Sequence, residues 1–296
     1  MSTYPEFALR DGSVAPGVAF GVGTALHQKS CVAEVKSALK VGFKHFDLAE
    51  VYETTPYVGQ ALKEAGVDPK TLYITTKAGA GMKDVKKTLD QELKALGAES
   101  VDLYLLHWPH DFRKAEFPSM EQAWREMIEV KESGKAKSIG VSNFRVRDLQ
   151  KLIESNPKEL PVVNQIEFHP FLYAISEEVV RFCAEHDIKI EAYSPTAPIT
   201  RFSGGPFDSA LEKVSAALSE RHGRKVEPSQ VLLKLASQRD TIVVTTSTKE
   251  WRMKQQLEAG ALPALTPEEI QFLTESATPA PQRAFEEHMG EPDVEY

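Results

Sequence analysis

Short runs rich in Val, Ile and Leu recur along the chain, separated by longer stretches whose apolar residues fall at helical spacing. The runs predict strands at Val18–Gly23, Phe43–Leu48, Leu72–Lys77 and Val101–His107. Four more follow at Ser138–Ser142, Val162–Glu167, Ile188–Ser194 and Thr241–Thr246. Between most of them lie amphipathic helical patterns. Residues 31–42 form one, with Ser30 as the expected N-cap and Gly42 as its stop. Residues 84–97 form another, with Val85, Leu89, Leu93 and Leu96 on one face and Gly97 at its end. Further helices are expected at Met120–Lys131, Val146–Ile153, Ser176–Glu185 and Pro228–Ala236. Ahead of the first strand, residues 6–15 alternate around Asp11-Gly12, a hairpin signal because that pair suits a positive-φ turn.

Alternating strands and helices predict a parallel sheet. Eight such units in about 230 residues predict closure, so the expected fold is an (α/β)8 TIM barrel with an N-terminal hairpin. The spacing breaks after Ser194, where roughly 45 residues separate the last two strands. That connection opens with P-T-A-P-I-T-R-F-S-G-G-P-F and continues into a helical segment, Asp208–His222. A long connection of this kind is expected to form a lid over the C-terminal face. The polar tail, 278–296, is expected to be irregular and either to wrap over the same face or to be loosely ordered.

The length, 296 residues, suits one barrel domain spanning 1–296. A net charge of -8 argues against nucleic-acid binding by the whole surface. The N-terminus lacks an apolar leader, and no apolar run is long enough for a membrane span, so a cytoplasmic protein without a membrane partner is expected. Cys31 and Cys183 are expected to be reduced and buried. No G-x-G-x-x-G follows a strand and no P-loop is present, which removes both common nucleotide folds.

Candidate chemistry sits where strands end. Asp47, Lys77 and His107 close the second, third and fourth predicted strands, and Tyr52 follows Asp47 in H-F-D-L-A-E-V-Y. In a barrel these ends meet at one mouth. A free phenol, with a pKa of about 10, is a poor acid near neutrality. A neighbouring ammonium stabilises the phenolate and desolvation opposes it, with a net lowering expected. Asp47 would aim Lys77, and His107 would orient a carbonyl. Singly, these residues also read as an ion pair, a structural histidine and a packing tyrosine; the grouping favours proton transfer.

Beyond this grouping, six ordered motifs resemble the aldo-keto reductase family over nearly the whole chain: H-F-D-L-A-E-V-Y, T-T-K, L-L-H-W-P, G-V-S-N-F, N-Q-I-E-F-H-P and A-Y-S-P. The resemblance implies an extended NADPH/NADP+ site without a Rossmann domain. It implies Tyr52 as general acid, Lys77 and Asp47 as its tuning pair, and His107 as the carbonyl-orienting residue. Ser142, Asn143 and Gln165 would hold the nicotinamide carboxamide, and Tyr193 would stack on its ring. Thr24, Asp47, Ser194 and Thr196 would complete that end. At the adenosine phosphate, the implied set is Thr246, Ser247, Thr248, Arg252, Gln255 and Gln256, with Arg252 suited to a 2′-phosphate. Many members are monomers, so a monomer is expected.

Three departures from the family pattern matter. Thr246 replaces the usual Lys of the phosphate clamp, with Lys249 a possible substitute. Ala25 replaces a Trp at the substrate wall, so the pocket, with Trp108 and His110, is expected either to be wider on that side or to be filled by another aromatic such as Trp108 or Phe112. The P-T-A-P-I-T-R segment lacks the S-P-D-R-type sequence that many members fold over the pyrophosphate. The expected reaction is reversible reduction of an aldehyde or ketone, with substrates ranging from sugar aldehydes to diketones and keto-lactones. The rivals are a cofactor-binding regulatory barrel and a metal-dependent hydrolase; the latter lacks a His-x-His or H-E-x-x-H pair.

Overall fold

The computed structural model describes residues 4–114, 116–277 and 281–289. The chain opens with the hairpin β1 (Glu6–Ala8) and β2 (Val14–Pro16), paired antiparallel with Phe7 opposite Ala15. Gly12 takes φ 85°, the left-handed conformation the Asp-Gly pattern predicts. Eight parallel strands then close a barrel: β3 (Val18–Gly21), β4 (His45–Asp47), β5 (Tyr73–Ala78), β6 (Val101–Leu106), β7 (Ala136–Ser142), β8 (Val163–Glu167), β9 (Lys189–Tyr193) and β10 (Ile242–Thr245), with β10 pairing both β9 and β3. All eight lie within two residues of their predicted bounds, and most are buried on both faces, which explains their nearly continuous apolar character.

The outer elements include α1 (Val32–Val41), α2 (Thr55–Ala65), α3 (Val85–Leu96), α4 (Met120–Glu132), α5 (Val146–Glu154) and α6 (Tyr173–Glu185). After β9 come α7 (Ala197–Thr200), α8 (Pro206–His222) and α9 (Pro228–Ser237), and after β10 α10 (Glu250–Glu258), α11 (Pro267–Ser276) and α12 (Glu286–Met289). Asp84 caps α3 by accepting from the Lys87 amide, and Gly97 ends it at φ 73°. At α1 the expected Ser30 cap is corrected: Cys31 holds the N-cap position and no side chain bonds there. The helix α2 was not expected, because Pro56 and Gly59 interrupt its pattern. Pro56 is tolerated in the first turn. Gly59 is required by close approach to α3: a Cβ there would lie 2.4 Å from the Ala95 carbonyl oxygen.

The expected lid is met only by the start of the connection between β9 and β10, where Pro195, Thr196, Ala197, Thr200 and Arg201 line the cavity at the C-terminal face. The longest element of that connection is α8, whose Phe207, Leu211, Val214 and Leu218 are buried in the main core. At the opposite end of the barrel the hairpin forms a plug. Phe7, Leu9 and Ala15 pack on Leu103, Leu105, Val163 and Ile242. Asp11 accepts bonds from Ser138 Oγ (2.8 Å) and Lys131 Nζ (3.1 Å). With that end closed, the C-terminal ends of the strands are left to form a pocket. Among the described residues, no helix is long and apolar enough to cross a membrane.

Candidate active site

A cavity of about 760 Å³ lies at the C-terminal ends of the strands. At one end it is lined by Asp47, Tyr52, His107 and Trp108, and at the other by Thr246, Ser247, Thr248 and Arg252. Thr24, Ala25, Ser142, Asn143, Gln165, Tyr193, Ser194 and Thr196 line the space between.

The first end is built by three adjacent strands. Lys77, on β5, is fully buried behind the cavity wall. Its Nζ donates to Asp47 Oδ1 at 2.7 Å, to the Leu48 carbonyl at 2.8 Å and to the Tyr52 hydroxyl at 3.5 Å. Burial works against this ammonium, but Asp47 and then Tyr52 hold its proton more tightly than in a free lysine. Tyr52 ends a short 3-10 turn, Glu50–Tyr52, that follows β4. Gly23 lets its ring lie against the backbone, since a Cβ there would come within 2.9 Å of ring atoms Cε2 and Cζ. Burial raises the proton affinity of the phenol and Lys77 lowers it; the net direction is upward. The expected net lowering is thus corrected: the ammonium acts in the expected sense, and desolvation outweighs it.

His107 closes the third side. Burial, then the Lys77 charge, pushes its pKa well below the usual value, so the imidazole is neutral. Its Nδ1 is buried without a partner among the described residues. Trp108 stacks on it at 4.0 Å.

The middle of the cavity is a connected polar chain. Gln165 Nε2 donates to Asp47 Oδ1 at 2.9 Å, and Ser142 Oγ donates to the Gln165 carbonyl at 2.9 Å. Asn143 Nδ2 donates to the His107 carbonyl (2.9 Å) and to Ser142 Oγ (3.0 Å), while its Oδ1 accepts from the Tyr193 hydroxyl (2.9 Å). Thr24, Asn143 and Ser194 line this stretch at φ 45°, 62° and 55°. Left-handed backbone at three non-glycine residues is strain stored where a ligand would sit, most of all at β-branched Thr24.

Several expected site residues fall elsewhere. His110 lies outside the cavity, stacked on Trp108 at 5.5 Å. Phe112 packs against the core. Gln255 is outside the lining, and its carbonyl accepts from Gln230. Gln256 is buried behind the wall and supports it, donating to the Thr246 carbonyl at 2.9 Å. Lys249 does not line the cavity either; its amide bonds Ser247 Oγ at 3.0 Å. Thr246 Oγ1, in the place of the absent lysine, is buried with no partner among the described residues.

Sequence reasoning missed other residues. Arg201, from the connection after β9, lines the cavity. Phe285 and His288 reach it from the tail, and the His288 ring lies 5.7 Å from Trp108. Glu167, in N-Q-I-E-F-H-P, anchors that tail by accepting from the amides of Ala284 (2.7 Å) and Phe285 (3.3 Å). Glu191 is a carboxyl in the interior of the barrel, signalled in sequence by an acid within the apolar run I-K-I-E-A-Y. Arg201 and His288 carry no such signal, because irregular segments have no periodicity to place them.

A closed parallel barrel with a buried Asp–Lys pair, a tyrosine beside it and a histidine at its C-terminal mouth defines the class. The Aldo/keto reductase family profile matches residues 17–277, and the chain belongs to that family. Among its relatives is an NAD/NADP-dependent indole-3-acetaldehyde reductase of Schizosaccharomyces pombe, 38% identical over 95% of this chain and 98% of that protein. An NADPH-dependent alpha-keto amide reductase of Saccharomyces cerevisiae is 36% identical over 91% of this chain and 89% of the relative. Among solved structures, a Bombyx mori aldo-keto reductase in complex with NADP superposes with a TM-score of 0.78 at 30% identity, covering 92% of each chain.

Proposed function

We propose that the chain, as a single barrel unit over 1–296, is an NADPH-dependent carbonyl reductase that converts an aldehyde or ketone to an alcohol. One observation carries this reading: a single cavity joins the Tyr52–Lys77–Asp47 group and His107 to the Thr246–Arg252 end. The names of the relatives support the same chemistry.

The residues present fit the cofactor. Asn143, Gln165 and Ser142 carry the donors and acceptors a carboxamide needs, and Tyr193 offers a flat face. Ser247, Thr248, the Thr246 hydroxyl, which has no partner among the described residues, and the guanidinium of Arg252 suit a phosphate. When bound, the reduced nicotinamide supplies a hydride to the carbonyl carbon.

The protein's own part is to position and to protonate. Neutral His107 donates an N–H to the carbonyl oxygen and holds it beside Tyr52. As negative charge develops on that oxygen, the Tyr52 hydroxyl gives up its proton to it. Lys77, fixed by Asp47 and the Leu48 carbonyl, stabilises the phenolate that remains. A proton from solvent restores the phenol, and the reverse oxidation uses the same groups.

Loss of absorbance at the reduced-nicotinamide band with NADPH and an activated aldehyde tests the reading; no turnover across a panel of aldehydes and ketones would refute it. In the same assay, Arg252→Ala is expected to weaken NADPH binding by about 1.5–3 kcal/mol, the value of a charged hydrogen bond, while NADH binding changes little. An unchanged NADPH-to-NADH affinity ratio would remove Arg252 from the phosphate site.

A further inference from the structure

Glu191 lies in the interior of the barrel, wholly buried, opposite Gln165 of β8 and Ile242 of β10 in the strand register. The catalytic scheme above makes no use of it. Both carboxyl oxygens are buried without a well-formed hydrogen bond among the described residues, and the neighbouring Gln165 side chain is the weakest of the influences on their charge. An ionised carboxylate in that position is strongly disfavoured.

The groups around it explain why its charge is only partly offset: Lys77 and then Gln165 favour the ionised form, but burial and Asp47 oppose it more strongly. From β4, His45 Nε2 stands 3.9 Å from Glu191 Oε1. That imidazole has other partners: Nδ1 lies 3.3 Å from the Pro16 carbonyl and Nε2 lies 2.8 Å from Thr75 Oγ1. The carbonyl can only accept, so Nδ1 carries the hydrogen and Nε2 accepts from Thr75. That tautomer has no N–H for Glu191, and burial pushes His45 down to about 4, so it is uncharged near neutrality. From β5, Lys77 is committed to Asp47, Leu48 and Tyr52, and Tyr73 is a neutral phenol. From β8, one N–H of the Gln165 amide is given to Asp47 and the second is left to face Glu191. Asp47 itself adds a negative charge close by.

We infer that Glu191 is a positioning residue that keeps its proton in the working enzyme, so that Lys77 faces one buried carboxylate rather than two and Tyr52 can release its proton. This inference rests on the carbonyl-reductase reading. Burial first, and then the Asp47 charge, raises Glu191 to about 8. Below that pH the buried group is balanced: one ammonium, one carboxylate, one neutral acid. Above it, the second carboxylate competes for Lys77 and tightens the hold of Tyr52 on its proton. Reduction therefore slows as pH rises through the Glu191 transition. The folded-state value exceeds the ordinary 4.5, so stability also falls as pH rises from near 4.5 toward about 8.

The test compares wild type with Glu191→Gln. First, kcat/KM for an activated aldehyde is measured from pH 6 to pH 10. Equal rates are expected at the acid end. On the alkaline side the variant should exceed wild type on the order of fivefold, because a buried charge shifts a neighbour's proton affinity strongly and only part of that reaches the rate. Second, infrared spectra are taken of both proteins at neutral pH. A protonated-carboxyl band is expected in wild type, bleaching on the alkaline side, and absent from Glu191→Gln. If Glu191→Gln does not fold, Glu191→Asp takes its place, and Glu92→Gln, the other buried carboxyl of raised proton affinity among the described residues, should leave the titrating band in place. Superimposable pH profiles, or no such band in wild type at neutral pH, would overturn the inference while leaving carbonyl reduction intact. Absence of turnover in wild type would instead strike the reductase reading, and the infrared band would still report on Glu191.

Discussion

Lys77 and Asp47 form a buried ion pair at 2.7 Å in the site. Replacing Lys77 by Met keeps most of the volume and removes the charge that favours the Tyr52 phenolate. Turnover is expected to fall by about 10²–10⁴, the usual scale of assisted proton transfer. The variant also leaves Asp47 as an unpaired buried charge, costing about 3–5 kcal/mol of stability. Steady-state kinetics and thermal unfolding read the two losses separately; normal turnover in a folded Lys77→Met protein would contradict the assignment. Asp47, Tyr52, Lys77 and His107 were legible in the sequence because strand ends in a barrel converge whatever the details of packing. The direction of the Tyr52 shift was not, since it depends on how completely the phenol is desolvated, which spacing does not reveal. Glu191 was visible as an acid in an apolar strand, yet its meaning depends on the tautomer of His45 across the barrel.

Among elements, the strands and the helices α1, α3, α4, α5, α6, α8 and α9 follow from the sequence pattern, whereas α2 and α11 were not expected. The helix α2 was hidden by a proline its first turn accepts and a glycine that contact with α3 demands. The connection after β9 borders the cavity only through its first residues, up to Arg201, and a packed helix, α8, is the longest element of the rest. The segment 281–289 also reaches the mouth, through Phe285 and His288, and is held by Glu167, whose carboxylate is fixed in turn by His169 Nε2 at 2.9 Å. Glu167→Ala is expected to free this segment. Losing charged hydrogen bonds of about 1.5–3 kcal/mol should speed amide exchange at Ala284 and Phe285 on the order of tenfold to a hundredfold. Because Phe285 and His288 line the cavity, KM for the carbonyl substrate should rise more than kcat falls. Unchanged exchange at those two amides would show that another contact holds the segment.

At the scale of the whole molecule, the chain separates stability from chemistry along the barrel axis. The hairpin plug, with Phe7, Leu9 and Asp11, closes one end and leaves the other for the pocket. The eight-unit alternation made this architecture legible. The composition of the pocket was less so, because Arg201, Phe285 and His288 arrive from segments whose path only tertiary contacts fix. The central claim is that this pocket protonates a carbonyl through Tyr52 while binding the cofactor independently of that hydroxyl. Tyr52→Phe tests it most directly, with kcat for NADPH-dependent aldehyde reduction and NADPH affinity by fluorescence titration measured on the same preparation. The account predicts a fall in kcat of about 10²–10⁴ with NADPH affinity changed by less than about threefold. Turnover within a fewfold of wild type in a folded, NADPH-binding Tyr52→Phe protein would contradict it.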